Sequence, residues 1–312
     1  MTDSPFHAGE QAAQDRLGLK ERMSRLGSRA IRDFMPDQHR EFFAGLRFAF
    51  AATLDPEDWP IATALSGSPG FISSPDPRRL EIDVPRDESD PVRRQLVPGA
   101  KLGLLGIDLA TRRRNRANGH VERADADGFA VAVEQSFGNC PQYIQARDIV
   151  WVGARDAGAR EELSGLDSEA RALIRAADTF FVASSSGGRA DPATGIDVSH
   201  RGGRPGFVRI DENVLTVPDF AGNRYFNTLG NFMINPRAGL LFVDFSSGDL
   251  LHLSGRVEIL WRGEEAHRLQ GAERLWRVAV SRGWRRRGVL PLRWAFRDFA
   301  PTTEATGAWS QL

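Results

Sequence analysis

Apolar and polar positions in the second half of the chain fall into short blocks. Thr179–Ser185, Gly195–Ser199, Phe207–Ile210 and Val214–Val217 each read as a short strand, and Ala238–Asp244 and Leu250–Leu260 as longer ones. These blocks are rich in Val, Leu, Ile and Phe, while Gly, Pro, Asp and Asn separate them. Asp211-Glu212-Asn213 predicts a tight turn between two of them. Phe226–Ile234 predicts a short helix that stops before Asn235-Pro236, because proline disfavours helical geometry in the residue before it. Closely spaced strands broken by one helix predict a small antiparallel barrel, whose closure removes exposed sheet edges.

Helical spacing appears elsewhere. Leu17, Leu19, Met23, Leu26 and Ile31 predict one amphipathic helix over Gly9–Arg32. Pro36–Leu46 predicts a second, with Pro36 in its first turn. The stretch from Ser164 predicts a helix running to Ala177, with Asp167 or Ser168 as its N-cap.

The chain also repeats itself. Ser66-Gly67-Ser68-Pro69-Gly70-Phe71-Ile72 resembles Gly202-Gly203-Arg204-Pro205-Gly206-Phe207-Val208, and Leu104-Leu105-Gly106-Ile107-Asp108 resembles Leu240-Leu241-Phe242-Val243-Asp244. Asn118-Gly119-His120-Val121-Glu122 matches Ser254-Gly255-Arg256-Val257-Glu258. Pro69 and Pro205, Asp108 and Asp244, and Gly119 and Gly255 all lie 136 positions apart, which a chance likeness of strands and turns does not explain. The boundary between copies falls near Gly153–Gly165. The expected division is a helical arm over 1–46, a first barrel over 47–153, a linker and helix over 154–178, and a second barrel with a basic C-terminal strand over 179–312.

Composition narrows the function. Forty-one basic residues balance 41 acidic ones in 312, so no whole-molecule field gathers nucleic acid or an anionic membrane. The runs Arg112-Arg113-Arg114-Asn115-Arg116 and Arg285-Arg286-Arg287 read as solvated hairpin tips rather than nucleic-acid contacts. No stretch reaches 18 apolar residues, and Met1 to Lys20 carries no apolar signal region, so the expected setting is cytoplasmic, with no membrane partner. Cys140 is the single cysteine, which excludes an intrachain disulfide and a Cys-rich metal site; it reads as a buried, inert thiol. Trp276, Trp284 and Trp294 read as core.

The densest polar cluster lies in the second copy. Arg201, Arg204 and Arg224 are forked donors suited to a phosphate dianion. Thr228 and Asn231 fall on the first turns of the predicted helix, whose free backbone N–H groups favour an anion. Gly222 leaves room for close approach of a ligand. In the first copy, Asp87-Glu88 stand opposite Asn223-Arg224, and Asp90 opposite Phe226. Three carboxylates repel a phosphate, so the second copy is expected to hold the ligand and the first to act as its structural partner.

The pattern Asp197-Val198-Ser199-His200-Arg201-Gly202-Gly203, Pro205-Gly206-Phe207-Val208, Leu215-Thr216-Val217-Pro218-Asp219, Gly222-Asn223-Arg224, Asn231 and Asn235-Pro236 resembles the pyridoxamine 5′-phosphate oxidase-like, FMN-binding split-barrel superfamily. Phe6-His7-Ala8-Gly9-Glu10 and Phe137-Gly138-Asn139-Cys140-Pro141 resemble a two-barrel branch of it with no assigned substrate. The resemblance implies an α+β, mainly β fold of two tandem split barrels forming a pseudo-dimer behind an N-terminal helical arm. It implies FMN between the barrels, with Ser199, His200 and Arg201 beside the flavin or its ribityl chain. Val217, Pro218 and Asp219 would follow the isoalloxazine edge, and Asn223, Arg224, Asn227 and Asn231 would surround the phosphate. The phosphate-binding lysine of the oxidase proper is missing, so pyridoxamine phosphate oxidation is not implied.

Two functions follow as expectations. One is an FMN-dependent oxidoreductase acting on a small molecule, with a reduced nicotinamide as a candidate electron donor and no assigned catalytic side chain. The other is a non-catalytic binder or sensor of FMN, haem or a deazaflavin, in which haem would need His200 or His252 as axial ligand. A homodimer is left open, and no metal site is expected.

Overall fold

The computed structural model describes residues 4–153, 158–191 and 193–309. The expected boundary stretch 153–165 contains residues 154–157, which lie outside the described residues, as do 1–3 and 310–312 at the ends of the expected segments.

Seven strands form the first sheet: β1 Phe48–Leu54, β2 Pro60–Ser66, β3 Ile72–Asp76, β4 Arg79–Ile82, β5 Lys101–Asp108, β6 Arg113–Ala124 and β7 Phe129–Asn139. They lie in the order β2-β1-β5-β6-β7-β4-β3. After β8 (Ala146–Trp151) and β9 (Glu161–Leu163) come β10 Thr179–Ser185, β11 Ile196–Gly202, β12 Arg209–Asp211, β13 Val214–Phe220, β14 Arg237–Val243, β15 Leu250–Leu260 and β16 Ala272–Arg286. Their order, β11-β10-β14-β15-β16-β13-β12, repeats that of the first sheet strand for strand, with β9 added beside β16. The last strand, β17 (Leu292–Asp298), pairs with β8. The fold is α+β and mainly antiparallel β, and each large sheet wraps its own apolar cluster.

The helices are α1 Ala8–Asp15, α2 Lys20–Ala30, α3 Asp37–Ala44, α4 Ser168–Ala176, α5 Asn227–Ile234, α6 Glu264–Arg268 and α7 Pro301–Glu304. The single helix expected over Gly9–Arg32 is two, because Gly18 takes a left-handed φ of +66° between them. Pro36 stands at the N-cap of α3 with extended backbone rather than inside its first turn. Asp167 caps α4 as expected, accepting from the Ala170 amide at 2.7 Å.

The two sheets meet about an internal two-fold axis. Phe50 pairs with Leu105, and Phe181 with Leu241; Leu105 and Leu241 are 136 positions apart, so Phe50 and Phe181 are counterparts. Their rings stack on each other, as self-related residues do across a two-fold. A Cβ on Gly103 in β5 would sit 2.9 Å from the Ile196 carbonyl oxygen of β11. Its counterpart Gly239 in β14 would collide with the Pro60 carbonyl of β2, the counterpart of Ile196. Glycine at both positions lets the backbones of opposite copies touch. Phe48, Ala52, Leu54, Ile196, Val198, Val243 and Trp294 surround these contacts in one shared apolar cluster.

The arginine runs are hairpin tips only at their outer residues: Arg112 lies in the turn between β5 and β6, and Arg113 and Arg287 are exposed. Arg114 and Arg116 lie within β6, with Arg116 7% exposed, and Arg285 and Arg286 end β16 at 3% and 1%. Both strands run along the seam between copies, so faces that a lone barrel would give to solvent are covered.

Candidate functional site

A cavity of about 840 Å³, open solvent included, lies on that seam. The second copy lines it with Ser199, His200, Arg201, Pro218, Asp219, Gly222, Asn223, Arg224, Asn227, Thr228 and Arg274. The first copy adds Arg114, Arg116, Asn139, Cys140, Gln142 and Tyr143. The expectation that the later copy alone forms the cradle is therefore corrected. The 136-residue comparison held the missing signal. Arg114 and Arg116 stand opposite Leu250 and His252, and guanidiniums on a strand whose repeat is otherwise apolar mark a local job.

On one wall the charges form a ladder. Arg201 donates to Asp219 Oδ1 at 2.8 Å, and Arg274 bridges Asp219 Oδ2 and Glu273, the latter at 2.8 Å. Arg224 forks onto both Glu273 oxygens. On the facing wall, Arg116 pairs with Asp197 at 3.0 Å and donates to Ser199 Oγ and, at 2.7 Å, to Asn227 Oδ1. Among the described residues Arg114 has no carboxylate partner; it donates to the Cys140 carbonyl and to His200 Nδ1, both at 3.0 Å. Burial without a counter-ion pulls Arg114 down to about 10.

Each wall thus holds one more guanidinium than carboxylate. Five arginines face Asp197, Asp219 and Glu273, an excess of two positive charges. Glu10 of α1 accepts from Asn227 Nδ2, and burial pushes its carboxyl up to about 7, so near neutral pH it offsets only part of that excess.

His200 is held well below its ordinary range, first by burial and then by Arg114 and Arg201, so it is neutral. A guanidinium only donates, so His200 Nδ1 accepts and the ring carries its proton on Nε2. That buried N–H has no partner among the described residues. The entry to α5 is likewise open. Its N-cap, Phe226, gives no side-chain cap, and 227–229 line the cavity. Tyr143, Arg224 and Phe226 all have φ between 61° and 64°, a left-handed conformation that non-glycine residues hold only under tertiary constraint and that gathers at ligand sites.

Eight of the ten sequence-predicted residues line this cavity; Val217 and Asn231 do not. Val217 is fully buried in the core of the second barrel, on the other face of β13 from Pro218. Asn231, one turn further into α5, donates to Ser184 Oγ at 2.9 Å and faces a neighbouring cavity with His7 and Glu10. Arg204 points away and donates to the Glu304 carbonyl. Cys140 is half-buried on the cavity wall rather than an enclosed thiol, whereas the three tryptophans are core. His252 is not on the wall; it stacks on Trp284 at 4.8 Å. Among the described residues, no group of three His, Cys, Asp or Glu could hold a metal ion, and no helix is long and apolar enough to cross a membrane.

Fold and cavity together define a tandem split-barrel protein with an arginine-rich cavity between its barrels. Residues 166–293 match the family model for pyridoxamine 5′-phosphate oxidase. No curated protein matches the chain. Among solved structures, HupZ from Group A Streptococcus is 17% identical over 38% of this chain and 90% of its own, with a TM-score of 0.30. An FAD-binding protein from Mesorhizobium loti is 14% identical over 41% of this chain and 97% of its own, at 0.29. The heme storage protein HutZ from Vibrio cholerae is 14% identical over 40% and 96%, at 0.27.

Proposed function

We propose that the protein is an FMN-binding flavoprotein that carries out redox chemistry on a small molecule. The observation behind this reading is the excess of two guanidinium charges around the uncapped start of α5. A phosphate monoester brings about two negative charges near neutral pH, and an α-helix N-terminus adds aligned N–H donors and a favourable dipole. Asn223, Arg224, Asn227, Thr228 and Arg116 would hold the phosphate. Ser199, His200, Arg201 and the 218–219 segment would border the rest of the cofactor.

The donor set fits a flavin in a second respect. The unpartnered His200 Nε2–H is a neutral donor in a cationic surround. It can bond a carbonyl or ring nitrogen without adding charge. When bound, FMN supplies the hydride or electron chemistry; the chain orients it, sets the polarity around it and limits water. A reduced nicotinamide is the proposed electron donor.

Purification tests this. The protein should be yellow and release FMN, identified by mass, on denaturation. Bleaching of the flavin by reduced nicotinamide would make it an enzyme rather than a sensor. A haem version would rest on His200 alone, since His252 is packed against Trp284 off the cavity wall. A Soret band with no flavin would replace the FMN reading.

A further inference from the structure

The internal two-fold carries the cavity onto a second position, between β2, β15, β16 and the segment 87–95. Ser199 is carried onto Thr63, Arg116 onto His252 and Phe226 onto Asp90, each 136 residues apart. Arg116 pairs with Phe137 across β6 and β7, and His252 pairs with Trp284 across β15 and β16. Two residues further along each strand, Asn139 corresponds to Arg286. Ring packing is kept as well: the Arg116 guanidinium lies over Phe137, and His252 stacks on Trp284.

The charges are not kept. Arg286 crosses into the first copy and donates to Asp90 Oδ2 at 2.8 Å, Asp87 Oδ2 at 2.7 Å and Ser89 Oγ at 3.1 Å. Thr63, where Ser199 stands in the open site, donates to the same Asp90 oxygen at 2.7 Å. The other Asp90 oxygen accepts from the Val92 amide at 2.9 Å. Arg286 and Asp90 are each 1% exposed. With Arg93 at 3.6 Å from Asp87, two guanidiniums meet two carboxylates, and no charge is left over. The open site keeps two guanidiniums beyond its three carboxylates, only partly offset by Glu10.

We propose that this second position is a ligand site closed by the chain's own side chains. Asp87 and Asp90 supply, as tethered carboxylates, the negative charge that the open site leaves for a phosphate group. Arg286 receives it, and the duplicated chain takes one phosphorylated ligand instead of two. A tethered counter-ion surrenders no translational freedom on binding, so free phosphate esters do not displace it. The proposal takes the ligand's identity from the reading above, but the closure stands on this geometry alone.

The experiment counts ligands. Protein saturated with FMN should hold one equivalent per chain, bound at least about tenfold more weakly in Arg224→Met and with unchanged affinity in Thr63→Ala. Two equivalents, or weakened binding in Thr63→Ala with unchanged binding in Arg224→Met, would overturn the proposal. The double variant Asp87→Asn/Asp90→Asn strips Arg286 of its carboxylates. Titrated calorimetrically with inorganic phosphate while FMN-loaded, it should take up one equivalent where the FMN-loaded parent takes none; uptake equal to the parent's would count against closure. If that variant does not fold, the FMN count in the parent decides. If the parent binds no FMN at all, the functional reading fails, and closure is judged by phosphate on the FMN-free proteins. One equivalent in the parent and two in the variant would support it, and equal numbers would sink it.

Discussion

Phe50 and Phe181 lie face to face with centroids 3.5 Å apart and planes 21° from parallel, each ring packed on its own counterpart. Both are buried in the cluster shared by the two copies. Truncating either to alanine is expected to cost about 3–5 kcal/mol, the range for a large aromatic in a core. The double truncation should cost less than the sum, because each single variant already removes the mutual contact. Urea denaturation of the three variants measures this. A loss under about 1 kcal/mol in both single variants would mean that the halves do not lean on the stack.

Gly239→Ala is expected to be worse than Gly103→Ala. The new methyl at 239 lands on the Pro60 carbonyl, while at 103 it approaches the Ile196 carbonyl at 2.9 Å. Backbone sits on both sides of each clash, so relief requires the sheets to part, at a cost of about 1–3 kcal/mol for overpacking. Thermal unfolding should rank the variants in that order. The reverse order would say that β14 and β2 separate more easily than their counterparts.

Arg224→Met should weaken FMN binding at least about tenfold while the barrels stay folded, since one charge-assisted contact to phosphate accounts for that much. Glu273 keeps its 2.8 Å bond from Arg274, so the substitution does not orphan a carboxylate. Quenching of flavin fluorescence gives the affinity directly. Unchanged binding would take Arg224 out of the phosphate cradle.

Stability should respond to pH through two buried groups of opposite sign. Burial pushes Glu10 up to about 7 from 4.5, so its contribution is full below pH 4.5 and is lost as pH rises through 7, by at most about 3 kcal/mol. Burial pulls His252 down to about 4 from 6.5, so its contribution is full above pH 6.5 and is lost as pH falls through 4. From pH 4.5 to 6.5 the two slopes offset each other. Glu10→Gln removes the first slope and keeps one of the two bonds Glu10 accepts, from Asn227 or from the His7 amide. The variant should be more stable than the parent at pH 8 by about 1–3 kcal/mol and lose stability more steeply on acidification. Equal urea midpoints at pH 8 would show that Glu10 ionises there without penalty.

Much of the second barrel was legible because its strands bury one or both faces within their own copy. Thr179–Ser185 and Leu250–Leu260 match β10 and β15 residue for residue, and the strand pairing explains the 136-residue repeat. β16 was hidden. It interleaves Arg274, Arg277, Arg282, Arg285 and Arg286 with Leu275, Trp276 and Trp284, and a strand so rich in arginine reads as solvated. Its basic residues are absorbed by carboxylates of distant segments, Asp219, Glu265, Asp55, Asp167 and Asp90. Partners that far off leave no periodic trace. The candidate site divides the same way. Its second-copy wall was visible as one compact motif, while Arg114 and Arg116 required knowing that two barrels meet.

Because both walls of the cavity belong to a single polypeptide, its assembly is unimolecular. A pocket shared between separate subunits comes apart on dilution, taking its occupant's affinity with it, whereas here the facing surfaces stay at one fixed effective concentration. Ligand retention should therefore be independent of how much of the protein a cell makes.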